Sequence, residues 1–136
     1  MELFILLVVL VILAETTILT LRKYKPIING KRKIYIDTSV LIDGRILNIA
    51  RSGFLDGDLI ILKSVLLELQ LLADGKDSEK RNRARAGLET AAELERVVNI
   101  NTEILDDDNN YKKVDEILLK IAKETRGAIL TLDYNL

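Results

Sequence analysis

A chain of 136 residues has room for one ordinary domain. It contains neither Cys nor His, which excludes disulfides, thiol chemistry, a Ser-His-Asp triad and a His-ligated zinc site. A net charge of −1 excludes capture of a polyanion by bulk electrostatics, so any such binding has to use a local patch.

The first 21 residues, "MELFILLVVLVILAETTILTL", are apolar without a break from Leu3 to Ala14 and continue, past Glu15, to Leu21. As a helix, Leu3 to Leu21 rises roughly 28 Å, close to the hydrocarbon thickness of a bilayer. The expectation is one transmembrane helix over residues 1–21. A signal peptide needs a basic leading region and a small-residue cleavage site, and neither is present. "RKYK", residues 22–25, is the first positive cluster, so the positive-inside rule puts the chain from residue 22 onward in the cytoplasm. The expected localisation is the cell membrane, single-pass, with the domain cytoplasmic. Glu15 is costly in hydrocarbon and hints at a partner helix. All 20 Lys and Arg, but 19 of the 21 acidic residues, lie after residue 21, which gives that part a net charge of +1.

Residues 22–33 hold Pro26 and an Asn29-Gly30 turn signal and read as a basic linker. The domain is expected over residues 34–136. Residues 34–36 form a first strand, 44–52 a short helix, and 59–62 a second, continuously apolar strand. Ser64 is placed to cap the next helix. A long polar helix is expected over 78–96, and "VVNI", 97–100, as a third strand. After an acidic loop, Val114, Ile117, Leu118 and Ile121 repeat at helical spacing, and residues 128–132 form a fourth strand. Short apolar strands alternating with helices predict a parallel sheet covered on both faces, in the order 3-2-1-4. The fourth strand then forms an unprotected edge, which invites self-association into a homo-oligomer.

The carboxylates carry the chemistry. Asp37 ends strand one, and Asp133 directly follows strand four. In open α/β sheets the functional crevice lies outside the carboxyl ends of the strands, so both acids belong there. Glu68, early in the helix after strand two, can lean over that edge. Asp115 opens the helix before strand four, and strand geometry alone puts it at the opposite edge unless the acidic loop carries it round. Clustered carboxylates repel unless a cation neutralises them, and an all-oxygen ligand set selects Mg²⁺ or Mn²⁺. Asp is also common at strand ends and helix N-caps, and 21 acidic residues place some near any edge. An aspartyl-phosphate phosphatase needs Asp-x-Asp after strand one, and position 39 is Ser. A receiver domain needs an earlier acid pair and a late Lys, and neither is present.

"IDTSVLIDGRI", "LLELQLLAD", "KRNRARAGLE", "VDEILLKIAKE" and "TLDYNL" follow one another in the order found in PIN-domain nucleases. The chain resembles most closely the bacterial membrane-anchored group in which PIN is followed by a TRAM domain, and the similarity covers about residues 33–136. The resemblance implies a three-layer, Rossmann-like α/β fold and a metal cluster of Asp37, Glu68, Asp115 and Asp133, so that Asp115 does reach the other three. It also implies supporting roles for the hydroxyls of Ser39 and Thr131 and for Asp43, although Asp43 is more readily read as an acid complementing a helix N-terminus. Two departures stand out. Such relatives carry several membrane helices rather than one, and they continue past "YNL" into a further strand and an RNA-binding TRAM domain.

Within "KDSEKRNRARAGLE" lie Lys76, Lys80, Arg81, Arg83 and Arg85. A charge run is ordinarily a solvated helix face, but in a nearly neutral domain this one is the available docking surface for RNA phosphates. With four Tyr, two Phe and no Trp, base stacking is minor and sequence specificity low. The expected function is a membrane-tethered, Mg²⁺- or Mn²⁺-dependent ribonuclease. Its rival is a non-catalytic RNA-binding or scaffolding module at the membrane. If Asp37 serves only as a ligand, Asp37→Asn leaves the metal-free protein at least as stable.

Overall fold

The computed structural model describes residues 1–23, 30–107 and 113–136, with the backbone alone for residues 2, 3 and 17–23. The Pro26 and Asn29 turn signals and most of the acidic loop lie outside the described residues. The chain divides into two units, Met1–Gly30 and Lys31–Leu136.

The first unit is a helix, α1 (Glu2–Lys23). Its described side chains from Phe4 to Thr16 are exposed. The Thr16 hydroxyl donates back to the carbonyls of Ile12 and Leu13, at 2.9 and 3.0 Å. Among the described residues no helix is long and apolar enough to cross a membrane. The expected transmembrane helix over residues 1–21, and the single-pass membrane localisation resting on it, are therefore corrected. The physical reason is length. The described apolar run from Phe4 to Ala14 rises about 16 Å, roughly half of a hydrocarbon core, before a carboxylate interrupts it.

The second unit is a three-layer α/β fold. Its elements are β1 (Lys33–Ile36), α2 (Thr38–Asp43), α3 (Ile46–Arg51), β2 (Asp58–Leu62), α4 (Lys63–Ala73), α5 (Ser78–Leu94), β3 (Thr102–Leu105), α6 (Val114–Thr125) and β4 (Ala128–Leu130). The sheet is parallel in the order β3-β2-β1-β4, as the sequence predicts, with Ile34 opposite Leu59 on one side and Ala128 on the other. Tyr35, Ile36 and Leu59 to Leu62 are at most 1% exposed, so successive side chains on both faces are covered.

The departures from expectation have local causes. A short helix, α2, starts directly after β1, with Asp37 as its N-cap accepting the Thr38 N–H at 2.7 Å. It stops at Gly44, whose φ of 79° lies in the left-handed region that favours glycine. The third strand lies at Thr102–Leu105 rather than over residues 97–100. Val98 is 96% exposed in the turn after α5, and Ile100 alone of that apolar run is buried. Ser64 does not cap α4. The helix begins at Lys63, and the Ser64 N–H is held at 2.9 Å by the Asp107 carboxylate, brought from beyond β3. Near the carboxyl edge of the sheet, α5 packs tightly on α2 and α4. A Cβ at Gly87 would lie 3.1 Å from Leu69 and 3.3 Å from Ile42, so glycine permits this approach.

Candidate functional site

At the carboxyl ends of β1 and β4 a cleft of about 520 Å³ is lined by Asp37, Thr38, Ser39, Ile42, Asp43, Glu68, Arg83, Asp115, Leu132 and Asp133. Five of these ten are acids, and the four expected from the motifs are among them. Asp115 reaches the cleft for a reason that strand geometry alone does not supply. A crossover helix runs antiparallel to its strands, so its N-terminus lies at the carboxyl edge. Asp115 is the second residue of α6 and stands on that edge directly.

Asp37 is the most buried of the acids, at 5% exposure. Its Oδ1 accepts the Thr38 N–H. Its Oδ2 accepts two hydroxyls, Ser39 Oγ at 2.5 Å and Thr131 Oγ1 at 2.8 Å. Each hydroxyl is oriented in turn by a backbone donor: Leu132 N–H to Ser39 Oγ at 3.0 Å, and Asp133 N–H to Thr131 Oγ1 at 2.9 Å. One carboxylate thus ties the start of α2 to the segment after β4. Asp133 Oδ1 accepts the Asn135 N–H at 2.8 Å, which fixes that acid on its own turn.

Thr38, a residue the motifs do not single out, donates its hydroxyl to Glu68 Oε2 at 2.6 Å. Its signal in the sequence is a hydroxyl directly after a strand-end Asp, at the first position of a helix. Ile42 and Leu132 form the apolar walls and are likewise absent from the expected site.

Asp43 is the last residue of α2 and stands just before α3, the helix expected over residues 44–52, where its Oδ1 accepts the Arg45 N–H at 3.3 Å. It also pairs with the Arg45 side chain, whose Nε lies 2.6 Å from Oδ1. The hydrogen bond from the Arg45 side chain holds the Asp43 carboxyl below the ordinary carboxylate range and raises the Arg45 guanidinium above its own.

The basic run divides. Asp77 caps α5 by accepting the N–H groups of Glu79 and Lys80. Arg81 reaches back to the Gly75 carbonyl at 3.5 Å. Lys80 and Arg85 are exposed, while Arg83 lines the acidic cleft.

Among the described residues no group of three acids is arranged to hold one metal ion as it stands. The donor set nonetheless fits Mg²⁺ or Mn²⁺ in kind, being entirely oxygen. Mg²⁺ keeps several of its waters and is commonly held through one or two carboxylates, so a cleft whose acids stand apart suits a hydrated ion better than a closed cage would.

Residues 34–136 match the family model described as PIN domain. An uncharacterised PIN and TRAM-domain containing protein of Bacillus subtilis, YacL, is 43% identical over 110 residues, which cover 80% of this chain and 30% of that protein. A protein of the same description from Thermus thermophilus is 41% identical over 101 residues, covering 74% and 30%. This chain thus spans about 30% of the length of such relatives. Among solved structures, a domain of a functionally unknown protein from Methanocaldococcus jannaschii superposes with a TM-score of 0.62 at 31% identity, covering 76% of this chain and 80% of that one. With the family model matched over the whole second unit beyond Lys33, the chain belongs to the PIN-domain family.

Proposed function

We propose that this chain is a metal-dependent ribonuclease whose reacting centre is the acidic cleft. The observation that carries this reading is that Asp37, Glu68, Asp115 and Asp133, borne by four separate segments of the fold, line one cavity at the carboxyl edge of the sheet. Asp37, Glu68, Asp115 and Asp133 would hold Mg²⁺ or Mn²⁺. A bound ion of this kind supplies an activated water and neutralises charge on the scissile phosphate. The chain's own residues do the rest. Ser39, Thr131 and the Thr38 N–H hold the Asp37 carboxylate in one orientation, and the Thr38 hydroxyl does the same for Glu68. Lys80 and Arg85 on α5 offer exposed cations to the RNA backbone, and Asp43, neutralised by Arg45, adds little repulsion.

The test has two readouts. Mn²⁺ is expected to raise the melting temperature, since a ligand that binds only the folded state stabilises it by mass action, about 2.7 kcal/mol at a hundredfold excess over Kd. Mn²⁺ is also expected to support cleavage of single-stranded or structured RNA, lost in Asp37→Asn and Asp133→Asn. A wild-type protein that neither cleaves nor responds to metal refutes the reading. The rival, a non-catalytic RNA-binding module, is favoured by one observation, the lack of a ready-made three-acid metal site among the described residues. RNA binding with no metal-dependent melting shift would select it.

A further inference from the structure

The basic run of α5 looks in sequence like one docking surface, yet its members have different surroundings. Arg81 is turned back onto the Gly75 carbonyl, and Lys80 and Arg85 face solvent away from the cleft lining. Arg83 is the one cation that lines the cleft among the described residues, in the company of five carboxylates. Each surface ion pair among the described residues brings nitrogen and oxygen within 4 Å, and none involves Arg83. Arg83 thus lines the acidic cavity with no acid partner among the described residues, which leaves its donors open to an anion that enters the cleft.

The backbone explains how it gets there. Arg83 adjoins Ala84, fully buried, and stands one turn before Gly87, whose missing side chain lets α5 close on Ile42. Ile42 is itself a wall of the cleft. These two small residues bring α5 against the cleft and seat Arg83 at its rim.

We propose that Arg83 is the catalytic phosphate ligand of this site: its guanidinium contacts the scissile phosphate and stabilises charge that grows there in the transition state. Planar donors in a fixed fork match two phosphate oxygens at once, which a lysine ammonium does not. The inference rests on the ribonuclease reading and gives that site its phosphate-binding group. It separates Arg83 from Lys80 and Arg85, which act on docking alone.

The experiment uses the full chain, Mn²⁺ and a fluorescein-labelled single-stranded RNA, under single turnover at saturating protein. Arg83→Gln is expected to lower the saturating cleavage rate by about 10²- to 10³-fold, the usual loss on removing one transition-state donor, with Kd changed only a few-fold. Arg83→Lys recovers part of the rate. The pair Lys80→Gln/Arg85→Gln shifts Kd and its salt dependence instead. Melting of Arg83→Gln is expected to match wild type, because the side chain is exposed. A wild-type cleavage rate in Arg83→Gln, or a loss confined to Kd, overturns the proposal. If wild type itself fails to cleave, the ribonuclease reading falls, and oligonucleotide binding then decides the contact. A salt slope lower by about one in Arg83→Gln keeps Arg83 as a phosphate ligand, and an unchanged slope removes it.

Discussion

Asp37→Asn is the substitution in which the structure most changes what is expected. The side chain is 5% exposed, and Oδ2 takes hydroxyl protons from both Ser39 and Thr131. Each of those hydroxyls already accepts a backbone N–H, from Leu132 and Asp133. An amide cannot replace both oxygens: its NH2 at the Oδ2 position meets the two hydroxyl protons, and at the Oδ1 position it meets the Thr38 N–H. Hydrogen bonds to a charged group contribute about 1.5–3 kcal/mol each, and two sharing one oxygen are less than additive, so a loss of about 2–4 kcal/mol is expected. Relief of repulsion among the remaining acids offsets part of this, since the cleft opens to solvent. At about 5 °C per kcal/mol for a domain near 100 residues, the melting temperature falls by roughly 10–20 °C in EDTA. Thermal melts of wild type and variant, each with EDTA and with Mn²⁺, measure both terms. If the variant equals wild type in EDTA, the hydroxyl clamp contributes no stability, and Asp37 is the bare ligand that the motif alone suggests.

Thr38→Val removes the donor to Glu68 while keeping the shape, and is expected to raise the Mn²⁺ concentration giving half-maximal cleavage; Thr38→Ser restores it. Arg45→Ala returns the Asp43 carboxyl toward its ordinary value, visible by NMR titration. Because the folded value is depressed, the pair's contribution is present above the ordinary carboxylate range and disappears as pH falls through the folded value; stability that instead rose on acidification would contradict the pairing. Asp107→Ala strips the acceptor from the Ser64 N–H and is expected to destabilise by about 1 kcal/mol, as loss of a helix cap does, read by urea unfolding. Among the described residues β4 is bonded to β1 alone, and this edge predicts concentration-dependent association in sedimentation, weakened in Ile129→Lys.

Much of this architecture is legible in the residues. Continuous apolar runs mark β1 and β2 because both of their faces are covered, and the order of the four strands matches the alternation with helices. β3 is misplaced by the same logic for the converse reason. It is an edge strand carrying Thr102 and Glu103, only partly covered, so hydrophobicity points instead to the neighbouring valines, which belong to a turn. Asp37 and Asp133 are readable as strand-end acids. Asp115 is misjudged when helix direction is ignored, although the motif resemblance points to the cleft. Thr38 is invisible as a partner of Glu68 because the two are 30 residues apart, and no local pattern records such a contact. The apolar N-terminal run suggests a span only when length and hydropathy are counted through Glu15, the residue at which the described apolar run ends.

The clamp on Asp37 also orders events in time. Two of its three donors, Ser39 and the Thr38 N–H, are its close neighbours in the chain, whereas Thr131 lies 94 residues away. That contact exists only after the last crossover has brought β4 alongside β1, and distant contacts form late because their loops must close first. Leu132 and Asp133 are the last residues of the cleft in the chain, and Thr131, which bonds Asp37, directly precedes them. During synthesis from the N-terminus, a chain with β1, β2 and β3 already paired still lacks the hydroxyl that fixes its central carboxylate. Pairing of β4 with β1 and closure of the clamp on Asp37 are therefore a single event, and on the ribonuclease reading proposed above a molecule that has not yet paired β4 would have its central carboxylate unfixed.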